Sequence, residues 1–126
     1  MIQLTRQINL VTRYLIVMSL LVGVTACKGQ DEPQQPLPDI EVSISTNSNY
    51  GSLVFSLQAI ADDTTITDVV INRGNCRIPA GTAAELSRHV SLKFGKTFRG
   101  YSNNCTVNDV KEITVTSSAG TFAFTF

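Results

Sequence analysis

Apolar and polar residues alternate along much of the chain after residue 39. Ile40, Val42 and Ile44 are separated by Glu41, Ser43 and Ser45. Leu53, Phe55, Leu57 and Ala59 are separated by Val54, Ser56 and Gln58. Val90, Leu92 and Phe94 alternate with Ser91 and Lys93, and Ile113 and Val115 with Thr114 and Thr116. Phe122, Phe124 and Phe126 alternate with Thr121, Ala123 and Thr125, and the stretch from Ile66 to Ile71 is β-branched and apolar. A period of two turns one set of side chains to a core and the other to water, so each run predicts a half-buried strand.

Turn signals separate the runs. Asn47-Ser-Asn-Tyr-Gly51 reads as a turn, and Ser117-Ser-Ala-Gly120 reads as a hairpin in which Gly120 tolerates positive φ. Gly95-Lys96-Thr97 reads as a β-turn between Phe94 and Phe98. One short helix is expected, because Thr82-Ala-Ala-Glu85 has the form of a capping box and Ala84, Leu86 and Arg88 continue it. Six or seven short strands with turns between them predict an all-β domain. The expected form is a small antiparallel β-sandwich, immunoglobulin-like in broad architecture, with a small β-barrel as the alternative.

The first 26 residues have a different character. They carry no acidic side chain, Arg6 and Arg13 make them positive, and thirteen uncharged residues run from Tyr14 to Ala26. A bilayer span needs ~20 residues. The shorter run has the form of a secretory signal. It ends Val24-Thr25-Ala26-Cys27, which resembles the lipobox of bacterial lipoproteins, with Val24 where leucine is commoner. The resemblance covers only the signal and the first mature residue. It implies cleavage before Cys27 and an N-acyl diacylglycerol group on that cysteine. Several acyl chains hold a membrane far more firmly than one, at ~0.8 kcal/mol per buried methylene. Lys28 follows, which in enteric-type lipoproteins implies the outer membrane, facing periplasm or cell surface. Residues 27–39 read as the lipidated cysteine and a proline-rich tether, and 40–126 as the folded domain.

Composition narrows the function. The chain has 126 residues, 43% apolar and 16% charged, with ten basic and ten acidic groups. One modest core fits this length, which argues against a multidomain enzyme, and the balance of charge argues against a nucleic-acid binder. Without residues 1–26 the formal charge is about −2.

Cys76 and Cys105 remain after Cys27. In an oxidising envelope they are expected to form one disulfide, worth ~3–4 kcal/mol for a loop of this length. A metal site would require more ligands at closer spacing, so neither metal nor cofactor is expected beyond the lipid. His89 is the only histidine. No serine stands in a Gly-x-Ser-x-Gly elbow, and Gly95-Lys96-Thr97 lacks the earlier glycine of a phosphate loop. Asp62 and Asp63 lack the ligand rhythm of a calcium loop and read as a solvated turn.

Charge is unevenly distributed. Five acidic residues and no basic one lie between Asp39 and Val70. Between Arg73 and Arg99 lie Arg73, Arg77, Arg88, Lys93, Lys96 and Arg99, opposed only by Glu85. These six either form a basic binding patch for an anionic partner or pair with the acidic segment inside the domain. The expectation is a non-enzymatic, lipid-anchored envelope module that binds a protein, as an accessory part of a secretion, conjugation or exclusion system. A binder of lipid, lipopolysaccharide or peptidoglycan is the alternative.

Overall fold

The structure is a computed structural model, and residues 33–126 of it are described. The signal, the lipobox, Cys27 and Lys28 lie outside the described residues. Two antiparallel sheets face each other. One has three strands in the order β1(Ile40–Thr46), β2(Leu53–Ala59), β5(Thr97–Ser102). The other has four in the order β4(Val90–Lys93), β3(Asp63–Ile71), β6(Glu112–Ser117), β7(Gly120–Thr125). This is the expected sandwich, and the sheets do not close into a barrel. The arrangement is that of an immunoglobulin constant domain with its fourth strand moved to the other sheet. One helix, α1(Ala80–Ser87), lies between β3 and β4.

Burial follows position in the sheet. Central strands have neighbours on both sides, so their inward residues are sealed. Leu53, Phe55 and Leu57 of β2 face a core shared with Ile66, Val69 and Ile71 of β3 and Ile113 and Val115 of β6. Three edge strands are only half covered: Val42 and Ile44 of β1, Val90 and Leu92 of β4 and Phe122 and Phe124 of β7 are half-buried, whereas the inward residues of the fourth, β5, are buried. Each fully buried side chain of this size contributes ~1.5–3 kcal/mol relative to exposure.

Four expectations need correction. The helix begins at Ala80 with Pro79 at its N-cap and no side-chain capping bond. Thr82 and Leu86, four residues apart, share the buried face, so Thr82 does not cap the helix. A capping box stands instead at Thr106–Asp109, before a 3-10 turn at Val107–Asp109. Asp63 and Thr64 are not a solvated turn but open β3, where Thr64 is buried. Phe94 continues the inward parity of Val90 and Leu92 but is exposed, because the β3–β4 pairing ends at Asp63 and Lys93. Phe126 likewise lies beyond the last β6–β7 pair and is exposed.

Two features were not legible as patterns. In β3 the inward set changes from Thr64 and Ile66 to Val69 and Ile71, because a bulge between Ile66 and Asp68 inserts one residue. Strand β5 presents Phe98, Gly100 and Ser102 inward, and the two small residues hide the alternation. Gly100 pairs with Phe55, and the Phe55 ring lies over it.

The sandwich has two poles. Nine residues of β3 at ~3.3 Å each put about 26 Å between them. At one pole the chain enters the domain. Asp39 is buried there, accepting hydrogen bonds from Ser117 Oγ at 2.5 Å and Ser118 Oγ at 3.4 Å. That carboxylate joins the start of β1 to the β6–β7 turn in the other sheet. It therefore belongs to the folded unit and not to the tether, and the compact unit extends back to Gln35. At the far pole Cys76 and Cys105 form the expected disulfide, joining the segment after β3 to the segment after β5. The two sheets are thus held by a covalent link at one end and a hydrogen-bonded clasp at the other.

Candidate functional site

The six basic residues do not gather on one face. Arg73 and Arg77 follow β3 at the far pole, Arg88 ends α1, and Lys93 and Lys96 flank the β4–β5 turn at the pole where the chain enters. Arg99 stands on the outer face of β5 opposite Ser56. Among the described residues, two of the six have acidic partners. Lys93 is bonded to Asp63, whose hydrogen bond and charge raise the lysine pKa. Arg73 approaches Glu112 at 3.7 Å. The pairing of basic with acidic segments foreseen from sequence is thus present for Lys93.

The far pole is the most elaborated part of the surface. The Asn47–Gly51 turn is an Asx-type clamp, in which Asn47 Oδ1 accepts from the backbone N–H groups of Asn49 at 2.9 Å and Tyr50 at 3.3 Å. Leu53 N–H donates to Cys105 C=O at 2.9 Å, tying this hairpin to the disulfide segment. Asn104 bridges the rest: its Oδ1 accepts from Arg77 N–H and Ser102 Oγ, and its Nδ2 donates to Asn75 C=O. Asn72 adopts a left-handed backbone with φ 48°. Its amide donates to Asp109 C=O at 2.7 Å and accepts from the N–H groups of Lys111 and Glu112. Thr106 holds the next turn: its N–H and its hydroxyl both bond Asp109, which lowers that carboxyl's pKa.

Two open depressions lie on this pole. The first, about 360 Å³, is lined by Asn47, Tyr50, Ser52, Tyr101 and Asn103. It has two exposed tyrosine rings, two amides and a hydroxyl, and no charged side chain among the described residues that line it. The second, about 490 Å³, is lined by Asn72, Arg73, Asn75, Lys111, Glu112 and Thr125. Of the six basic residues singled out from sequence, only Arg73 lines it. Lys111 was missed, because pairing of β3 with β6 brings it beside Arg73 from 38 residues away. Tyr50 and Tyr101 were missed for the same kind of reason, since 51 residues of sequence separate them.

His89 caps the C-terminus of α1. Its N–H donates to Leu86 C=O and its φ of 61° is the left-handed conformation that ends many helices. Its side chain is exposed. Among the described residues no three His, Cys, Asp or Glu side chains form a metal-binding group. No family model, curated protein or solved structure matches the chain.

Proposed function

We propose that the chain is a lipid-anchored envelope protein whose β-sandwich binds a protein partner through its far pole, without catalysing a reaction. One observation carries this reading: the chain enters the sandwich at one pole, and the two-tyrosine depression lies at the other. A domain held at the membrane by its N-terminal tether would present that depression away from the lipid. Its chemistry fits recognition. Tyrosine supplies large, stiff contact area at little entropic cost, and amides adapt their hydrogen bonds to a partner. The disulfide, the Asn47 clamp and the Asn104 bridge hold the lining in place before any partner arrives, which reduces the ordering cost of binding.

Lipidation of Cys27 and an outer-membrane location rest on the lipobox resemblance and on Lys28. An accessory role in secretion, conjugation or exclusion rests on the layout of a small domain on a lipid tether. The test is photo-crosslinking in intact envelopes from a reporter at Tyr50, with a second reporter at Ser43 on the outer face of β1. A discrete adduct from Tyr50 alone, lost with Tyr101→Ala, supports the reading. Equal adducts from both positions, or none from either, refute it.

A second reading has one observation in its favour. A depression of about 360 Å³ with aromatic walls and no charge suits a neutral sugar unit better than an anion. Recovery of glycan in place of protein from the Tyr50 reporter would select it.

A further inference from the structure

The turn that carries the chain from β4 in one sheet to β5 in the other reads Lys93-Phe94-Gly95-Lys96. Phe94 is 66% exposed. Three hydrogen bonds hold the tip against the end of β2. Gly95 N–H donates to Ala59 C=O at 2.8 Å, Ala59 N–H donates to Lys96 C=O at 2.9 Å, and Gln58 Nε2 donates to Gly95 C=O at 3.1 Å. Gly95 itself sits at φ 77°, which suits glycine at this turn.

Two other exposed apolar residues stand at this pole. Ile60, 47% exposed, follows Ala59, and its N–H donates to Asp39 C=O at 2.9 Å. Leu37, 84% exposed, lies two residues before Asp39. Singly exposed apolar residues are ordinary. These three share one pole, and it is the pole at which the tether joins the domain.

We infer that this pole is a lipid-contacting surface, with Phe94 and Ile60 entering the headgroup layer and Lys96 reaching lipid phosphates. The inference rests on the lipid anchor proposed at Cys27 and adds an orientation to it. An aromatic ring at a rigid tip buries apolar area on reaching the acyl boundary, while flanking lysine stems extend their ammonium groups to the phosphates. Asp62 and Asp63 share the pole and offset the two lysines, with Asp63 already bonded to Lys93. The apolar residues therefore supply most of the attraction, and salt weakens docking only slightly.

The chain has no tryptophan, so a single substitution creates a unique reporter. The experiment uses the full lipidated protein in vesicles of phosphatidylethanolamine and phosphatidylglycerol, with or without bromine on the acyl chains. The Phe94→Trp protein should emit at shorter wavelength than in detergent-free buffer and lose most of its intensity to bromine. The Tyr50→Trp protein, reporting from the far pole, should emit as in water and keep its intensity. A Phe94→Trp reporter that stays water-like while the protein floats with vesicles overturns the docking and leaves the anchor standing. Equal quenching of both reporters overturns the orientation. Protein that does not float at all removes the anchor and the docking together.

Discussion

The contact between Gly100 and Phe55 offers a sharp test of how the inner face of the three-stranded sheet is packed. Gly100 has no positive φ, so its backbone would accept alanine. The obstacle is space. A Cβ added there would lie 2.2 Å from Phe55 Cζ and 2.8 Å from both Cε atoms. Carbon atoms in contact prefer ~3.5–4.0 Å, so the ring would have to withdraw by about 1.3 Å or the strands would have to part. Phe55 is fully buried, and the Phe98 ring stands against it at a centroid distance of 6.5 Å. Overpacking of this kind costs ~1–3 kcal/mol. Replacing glycine returns ~0.4–1 kcal/mol through the unfolded chain. A net loss of about 1–2 kcal/mol lowers the Tm of a domain this size by roughly 5–15 °C. Thermal unfolding of the oxidised protein, followed by circular dichroism, reads this directly. Phe55→Leu removes the ring atoms that the new methyl meets, so the double variant should lose about 1 kcal/mol less than the sum of the single ones. Gly100→Ala within ~0.3 kcal/mol of the parent, or strict additivity with Phe55→Leu, would show that the clash reasoning is wrong.

Three further outcomes follow from the clasps and the turns. Replacing Cys76 and Cys105 together by serine should cost ~3–4 kcal/mol in urea unfolding, and an unchanged midpoint would argue that the two sheets do not depend on the link. Asp39→Ala leaves Ser117 Oγ without its acceptor and should cost ~1–3 kcal/mol, whereas a residue of a free tether would cost nothing measurable. Asp109 titrates below the usual carboxylate value in the folded state. Its contribution is therefore present above the unfolded pKa, near 3.8, and is lost as pH falls through the lower folded value. Asp109→Asn should remove that part of the acid sensitivity, and identical pH–stability curves for the two proteins would count against it.

The far pole and the near pole differ in what they need from folding. Near the tether, the exposed apolar residues are displayed by backbone bonds among β1, β2 and the β4–β5 tip, all within one end of the sandwich. At the far pole the two depressions draw side chains from turns widely separated in sequence. The disulfide matters more there, because it fixes the segments that back both depressions. Loss of Cys76–Cys105 is accordingly expected to impair recognition at Tyr50 and Tyr101 even under conditions where the sheets persist.

Alternation was sufficient to place five of the seven strands, since burying one face of a strand demands a period of two, and the β-branched apolar run Ile66–Ile71 placed β3. The Asn47–Gly51 and Ser117–Gly120 turns were legible because Asn and Gly relieve specific backbone conformations there. The pairing of Cys76 with Cys105 followed from there being two cysteines beyond Cys27. Other features belonged to tertiary structure. Strand β5 was hidden because its inward positions are Gly100 and Ser102, small where Phe55 needs the room. The capping box at Thr82 failed because the side chain of Thr82 was claimed by the buried face it shares with Leu86. Phe94 kept the parity of a core residue but overran the end of its partner strand. The run of basic residues from Arg73 to Arg99 was continuous in sequence yet spread over both poles, because a strand pair carries successive segments to opposite ends of a sheet. The same geometry brought Tyr50 to Tyr101 and Arg73 to Lys111. Local periodicity decides which way a side chain faces, and only the pairing of distant strands decides what it meets.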